Sequence, residues 1–448
     1  MKQYDLVVIG GGSTGLSVAN RVSAAGRRVA LVDKGPVGGL CSLAGCNPKK
    51  VFVRASEVLD EVHRAGDHGI RTGEITIDWE QVWQRKHGFT DTVTEATERG
   101  LASKGVERIA GVARFTSPDT LIAGGEELQA NALVIATGST PRRLTFPGGD
   151  LARTTDDVLE LRRPPERMVI VGAGVVAFEF GFVFARLGTK VTILMRSSRA
   201  LSGFDDDFAA HAVDFGRSIG IELLSETTVT AIRSSGDGAI VDLTYEGRSE
   251  SREADFVLNA AGRVPAIDQL DLPTANVETW RRGVVVDDYL RSPSNRRVFA
   301  GGDAHGFFQL SPVASYEGRV IARNILEGDV AKADYSAVPQ AIYTTPPLAT
   351  VGWTETEARR SGLAVNVRTS DMKSWLVYAI AGEPVAWAKV VADAETGRIL
   401  GAQLFGAGAS ENIHLFALAI RCGLTADDLR EAVYAYPTFA STIQSAVP

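Results

Sequence analysis

The sequence predicts an α/β protein with two Rossmann-like dinucleotide-binding domains followed by a C-terminal α+β domain. Three observations predict it. A glycine-rich turn follows the apolar run Leu6-Val7-Val8-Ile9, and a second follows Met168-Val169-Ile170-Val171 about 160 residues later. From about Ala337 onward, strand-like runs alternate with helical ones without a further glycine motif.

The first apolar run is β-branched and short, the pattern of a buried parallel strand. After Gly10-Gly11-Gly12-Ser13-Thr14-Gly15 an amphipathic helix is expected from about Leu16 to Ala25, then a strand from Arg28 to Val32 ending at Asp33. Gly10 makes the tight turn and Gly12 lets the backbone approach a pyrophosphate. Gly15 lets helix and strand pack closely, while the helix N-terminus offers N–H donors. A carboxylate at Asp33 can take the adenosine ribose hydroxyls. Glycines alone would be only a turn; strand, helix and acid in order make a nucleotide site.

The second unit carries Gly172, Gly174 and Ala177, a helix to about Leu187 and a strand from Lys190 to Leu194. Its acid is missing: Met195 stands there, then Arg196 and, nearby, Arg199. An arginine accepts a 2′-phosphate that a carboxylate would repel, so NADPH is expected, with NADH possible. The alternative is a pair of solvated surface charges.

Pro141, Pro147, Pro164 and Pro165 punctuate the stretch between the units and mark a junction. The division expected is 1–155 for the first nucleotide domain, 156–270 for the second, 271–336 for a central return to the first, and 337–448 for the last. In that last part Ala341–Tyr343, Ala386–Val391 and Ile399–Phe405 read as strands and Glu411–Cys422 as a helix.

Composition sets limits. At 448 residues the chain exceeds one ordinary core, and 45% hydrophobic with 23% charged residues is ordinary soluble composition. A net charge of -7 argues against nucleic acid. No apolar run reaches about 18 residues, which argues against a membrane span. Met1-Lys2-Gln3-Tyr4-Asp5 lacks the features of a signal peptide. Three cysteines make no disulfide framework. A cytoplasmic protein is expected, in which a close cysteine pair is catalytic or metal-binding.

That pair lies in Cys41-Ser42-Leu43-Ala44-Gly45-Cys46-Asn47-Pro48-Lys49-Lys50, shortly after Asp33. Its spacing places the sulfurs about one helical turn apart, within disulfide reach if the turn is distorted. A helix start and a nearby lysine lower a thiolate pKa. Two inert thiols are the bland alternative. Half a zinc site is another, but Cys422 is distant and no histidine pair has ligand spacing, so no metal is expected.

Gly38-Gly39-Leu40-Cys41 with Gly45-Cys46-Asn47-Pro48-Lys49-Lys50 resembles the G-G-T-C-x-x-x-G-C-x-P-x-K signature of the class I pyridine nucleotide-disulfide oxidoreductases. That family includes glutathione reductase, dihydrolipoamide dehydrogenase and mercuric reductase. Ala136-Thr137-Gly138 and Ala260-Ala261-Gly262-Arg263-Val264-Pro265 resemble its strand-end motifs, and Ala300-Gly301-Gly302-Asp303 its second flavin motif. Thr345-Pro346-Pro347-Leu348-Ala349-Thr350-Val351-Gly352 resembles the opening of its dimerisation domain. The resemblance implies FAD on the first unit, with Thr137, Gly138, Gly262, Arg263 and Asp303 at the cofactor and Asp303 holding the ribityl chain. It implies a redox-active disulfide in which Cys41 is the interchange thiol and Cys46 the flavin-side thiol. It implies Lys50 near the flavin's reactive nitrogen with Glu179 as its ion-pair partner; Phe178 and Phe180 beside Glu179 argue for burial. It also implies a homodimer whose active site is shared between subunits.

Some positions depart from the family pattern. Thiol reductases carry His-Pro-Thr with a glutamate shortly after; here Tyr436-Pro437-Thr438 stands, with Ser441 in the glutamate's place. A phenol with a pKa near 10 is a poor proton acceptor at pH 7, though it donates hydrogen bonds. Leu40 replaces a threonine that usually contacts FAD, and Asn20 a substrate-binding arginine of glutathione reductase, although Arg319 matches another. The chain ends Ala446-Val447-Pro448 without the C-terminal cysteine pair of mercuric reductases. The expected activity is NADPH-dependent transfer of electrons through FAD and Cys41–Cys46 to a small-molecule or protein disulfide, or another thiol-reactive acceptor. A mercuric-type metal or quinone reductase and a slow redox-sensing flavoprotein are the alternatives.

Overall fold

The computed structural model describes residues 1–281 and 283–448. The chain forms two compact units, each drawn from three stretches: Met1–Lys49, Gln84–Arg142 and Gly262–Asp334 in one, Lys50–Trp83, Arg143–Ala261 and Tyr335–Pro448 in the other.

The first unit is built on a seven-stranded sheet. Strand Lys2–Ile9 lies between Val29–Asp33 and Glu126–Ile135, parallel to both, and Val298–Ala300 adds in parallel beside residues 133–135. Both sheet faces are covered. Leu6, Val8, Leu31 and Val134 pack to one side, and Val7, Ile9, Val32, Leu133 and Ile135 to the other. That is why these strands read as continuous apolar runs rather than alternating ones. The first helix is Ser13–Ala24, starting three residues before the expected Leu16 because Gly12 is already its N-cap. Helix Ser311–Glu327 packs on it, with the Thr14 hydroxyl donating to the Ala314 carbonyl at 2.9 Å.

The second unit has a four-stranded parallel sheet in the order Glu222–Leu224, Lys190–Leu194, Arg167–Val171, Phe256–Asn259. Helix Val175–Arg186 follows Arg167–Val171 and buries Phe178, Phe180, Phe182 and Phe184. An antiparallel three-stranded sheet spans residues 228–254. The C-terminal part is a five-stranded antiparallel sheet, Gln340–Ile342, Leu348–Gly352, Ile399–Phe405, Trp387–Asp393 and Val365–Asp371 in spatial order, covered by helix Ala409–Cys422. Among the described residues no helix is long and apolar enough to cross a membrane.

Candidate active site

The first glycine turn has no room for a side chain at Gly10 or Gly15. Gly10 has φ +112°, and a Cβ there would lie 2.2 Å from the Ala136 carbonyl oxygen; one on Gly15 would lie 1.9 Å from that of Gly10. Asp33 braces the turn from below: Gly11 and Gly35 donate their amides to its two carboxylate oxygens at 2.5 and 2.8 Å. A carboxylate has about four acceptor positions, so ribose hydroxyls are not displaced by this bracing.

The same turn positions the cysteines. Gly39 has φ +75°, and its Cβ would meet the Gly12 Cα at 2.6 Å, so the turn before Cys41 rests directly on the glycine loop. The Gly38 amide also donates to the Gly11 carbonyl at 2.9 Å. Cys41 lies in the short helix Gly39–Ala44 and Cys46 opens the helix Cys46–His63. Gly45 breaks the helix between them at φ -137°, ψ -111°, where a Cβ would come within 2.8 Å of the Leu40 oxygen. The two cysteines therefore stand on separate helical segments. Cys41 is half-buried and Cys46 exposed.

Opposite the glycine loop, the Thr137 hydroxyl oxygen is buried with no hydrogen-bond partner among the described residues. A buried hydroxyl so placed costs free energy unless something fills the site. Together with the side-chain-free loop it fits FAD, whose pyrophosphate needs close backbone N–H groups and whose sugars need hydroxyl partners. Beyond Gly138, Arg263 Nε donates to the Ser139 hydroxyl at 2.8 Å, and Ser139 donates to Asp303 Oδ2 at 2.5 Å. Burial pushes the Asp303 carboxyl up, against the pull of Ser139 and Arg263. Next to it, Glu317 accepts the Gly302 amide at 2.5 Å and pairs with His305 Nε2 at 2.8 Å, clamping the turn that carries Asp303. No sequence motif marks Ser139, His305 or Glu317. A lone serine at a strand end and a glutamate in a helix carry no pattern of their own. The Gly262 carbonyl receives the Arg142 amide at 2.9 Å.

In the second unit Lys50 stands one turn into helix Cys46–His63, and its Nζ is 3.2 Å from Glu179 Oε1. Glu179 is buried, as its phenylalanine neighbours suggested, at 1% exposure. The Tyr343 amide donates to the same oxygen at 2.8 Å. The second glycine turn repeats the first: Gly172 has φ +119° and no room for a Cβ, which would lie 2.3 Å from the Ala260 oxygen. At Gly174 the Cβ direction is open, with nothing within 4 Å, and Ala177 is fully buried. Open space above a glycine at a helix start fits the pyrophosphate of a nicotinamide nucleotide.

Met195 is buried where an acid would stand. Arg196 is exposed, with no ion-pair or hydrogen-bond partner among the described residues. Arg199 is engaged: it pairs with Asp206 at 2.5 Å and donates to the Phe204 carbonyl at 2.6 Å. Met195, Ser198, Arg199, Asp206 and Arg217 line a cavity of about 330 Å³ at this end of the sheet.

Tyr436 is 74% exposed. Ser441 is turned back on Thr438, which caps the short helix Phe439–Thr442.

The sequence family described as pyridine nucleotide-disulphide oxidoreductase matches residues 4–318, and the dimerisation domain of that family matches residues 338–447. A mercuric reductase of Bacillus cereus is 32% identical over 448 residues, covering 99% of this chain and 71% of its own length. A dihydrolipoyl dehydrogenase of Geobacillus stearothermophilus is 31% identical over 455 residues, covering 99% and 95%. Among solved structures, the Cu(II) complex of the HOCl-induced flavoprotein disulfide reductase RclA from Escherichia coli superposes with a TM-score of 0.89 at 26% identity, covering 100% of this chain and 99% of that one. The α/β fold with its C-terminal domain agrees with these likenesses. The chain therefore belongs to the class I pyridine nucleotide-disulfide oxidoreductases and is an FAD-dependent NAD(P)H oxidoreductase acting on disulfide-type substrates.

Proposed function

We propose that this enzyme uses NADPH to reduce acceptors that react with thiolates without help from a histidine. The observation that carries the reading is the C-terminal motif: Tyr436 is exposed and Ser441 is bound to Thr438, so neither an imidazole nor a carboxylate to orient one stands at these positions. FAD, when bound, supplies a two-electron carrier between the nicotinamide and the cysteine pair. Gly10, Gly12, Gly15, Asp33, Thr137, Gly138, Gly262, Arg263 and Asp303 would hold it. Gly172, Gly174 and Ala177 would hold the nicotinamide nucleotide, with Arg196 on its 2′-phosphate. Once the pair is a dithiol, Cys41 attacks an acceptor disulfide as thiolate and expels one of its two thiolates, and Cys46 then attacks the Cys41 sulfur of the mixed disulfide, releasing the second thiolate and restoring Cys41–Cys46. The subunits of a homodimer would share the site, placing Tyr436 of one near Cys41 of the other.

A soft metal ion is the second reading. Tyr436 and Ser441 in place of histidine and glutamate favour it, because two thiolates bind such an ion with no proton to deliver. The names of relatives, mercuric reductase and a flavoprotein disulfide reductase crystallised with Cu(II), support it.

Steady-state turnover with NADPH and a panel of acceptors tests both: an aromatic disulfide, glutathione disulfide, lipoamide, Hg²⁺, Cu²⁺ and a quinone. Fast reduction of the aromatic disulfide or a metal ion, lost in Cys41→Ser, supports the proposal. Turnover confined to the quinone and retained in Cys41→Ser refutes it. No turnover with any acceptor would point to a redox-sensing flavoprotein instead.

A further inference from the structure

Lys50, Glu179 and Tyr343 form a closed triangle. The Lys50 ammonium is 3.2 Å from Glu179 Oε1 and 3.7 Å from the centroid of the Tyr343 ring. The Tyr343 amide donates to that same Glu179 oxygen at 2.8 Å. The three come from separate elements: helix Cys46–His63, helix Val175–Arg186, and the residue just after strand Gln340–Ile342.

We propose that Tyr343 is a positioning residue for electron entry: its amide orients Glu179 while its ring face holds the Lys50 ammonium at one fixed place beside the flavin. The inference rests on the reading above that Lys50 lies at the flavin. A lysine reaches its partner through four rotatable bonds, and one ion pair fixes it poorly where water has access. The Lys50 side chain is 32% exposed, so that condition applies, whereas the Glu179 side chain is only 2% exposed. A ring face adds a second, directional attraction to the cation. The backbone amide meanwhile keeps the Glu179 carboxylate aimed even as the lysine moves, because a charge-assisted bond from the main chain has no rotor to lose. A positive charge so held is preorganised for the negative charge that a flavin gains on reduction. Glu179 also lies just over one turn past Gly174, so the triangle joins the nicotinamide turn to the flavin-side lysine.

The test compares Tyr343→Leu, Tyr343→Phe, Lys50→Met and the double variant Tyr343→Leu/Lys50→Met in the FAD-loaded enzyme. Two quantities are read: the flavin midpoint potential by anaerobic titration, and the rate of flavin reduction by NADPH in stopped flow. Neither depends on the terminal acceptor. Lys50→Met should lower the potential and slow reduction. Tyr343→Leu should move both in the same direction, the rate by about three- to tenfold. Tyr343→Phe, which keeps the ring, should recover most of that loss. In the Lys50→Met background Tyr343→Leu should add nothing, because its effect runs through the ammonium. Additive losses, or a Tyr343→Phe variant as impaired as Tyr343→Leu, would overturn the proposal. Should Tyr343→Leu fail to hold FAD, Tyr343→Met keeps the bulk without a π face and takes its place in every comparison. If Lys50→Met changes neither quantity, the placement of Lys50 at the flavin is wrong and the proposal falls with it.

Discussion

The Ser441 hydroxyl donates to the Thr438 carbonyl at 2.6 Å, while the Ser441 amide donates to the Thr438 hydroxyl at 3.2 Å. A serine so engaged has no carboxylate with which to orient a base at position 436. General acid–base help is worth roughly 10²–10⁴-fold, and a dialkyl disulfide needs it to protonate its leaving thiolate. The enzyme should therefore reduce an aromatic disulfide at least about 10²-fold faster than a dialkyl one, and the dialkyl rate should rise with pH as Cys41 ionises. The paired change Tyr436→His with Ser441→Glu should accelerate dialkyl reduction more than aromatic. Rapid, pH-independent dialkyl turnover in the unmutated enzyme would show that another group serves as the base.

The two sulfurs differ in setting, Cys41 half-buried in a short helix and Cys46 at the head of a long one. A helix start favours a thiolate at Cys46. NADPH added anaerobically should produce a long-wavelength absorbance band that Cys41→Ser retains and Cys46→Ser abolishes. The reverse pattern would exchange the two roles.

Nucleotide choice should depend on Arg196 far more than on Arg199. Arg196→Met should lower kcat/KM for NADPH by roughly 10- to 100-fold, about 1.5–3 kcal/mol, with little change for NADH. Arg199, already bound to Asp206 and the Phe204 carbonyl, should matter several-fold at most. Gly174→Val should weaken both nucleotides while leaving FAD bound, since its Cβ projects into open space. Equal kcat/KM for NADPH and NADH in the unmutated enzyme would remove the basis for the Arg196 prediction.

Acid should loosen the second unit through Asp205. Burial alone would raise this carboxyl, but hydrogen bonds from Thr356 and Glu355 and the charge of Lys389 outweigh it and hold it below the usual carboxylate range. A depressed carboxyl contributes stability above its unfolded pKa, near 3.9, and loses that contribution as pH falls through the folded value. Asp205→Asn should thus cost about 1–3 kcal/mol at pH 7, and the gap to the unmutated protein should narrow below about pH 4. Urea midpoints measured from pH 7 to pH 3 check this; a constant gap would contradict it.

What could be read from the chain was what repeats or sits close in sequence. Leu6–Ile9 and Met168–Val171 announce parallel strands because both their faces are covered, and strand Lys190–Leu194 falls where its apolar pattern places it. Between Cys41 and Cys46 the helix is interrupted at Gly45, a residue inside the motif itself. The apolar pattern places helix starts at Leu16 and Glu411 rather than at Ser13 and Ala409, since the first turn after a glycine cap carries no apolar stripe. The contacts of Tyr343 with Glu179 and of Ser139 with Asp303 each span 164 residues, and no periodicity reports a pairing at that distance.

Strand Val298–Ala300 covers the edge of residues 133–135, yet it is made long after them. On a ribosome adding about 5–20 residues per second, roughly ten to thirty seconds separate the two. Through that interval the backbone of Leu133, Val134 and Ile135, all wholly buried in the finished protein, offers unpaired N–H and C=O groups beside a greasy face. Nascent chains are thus most prone to cluster, and most in need of a holding chaperone, between the emergence of the first sheet and that of residue 300, and a stop codon anywhere in that span releases a protein with a sticky open edge.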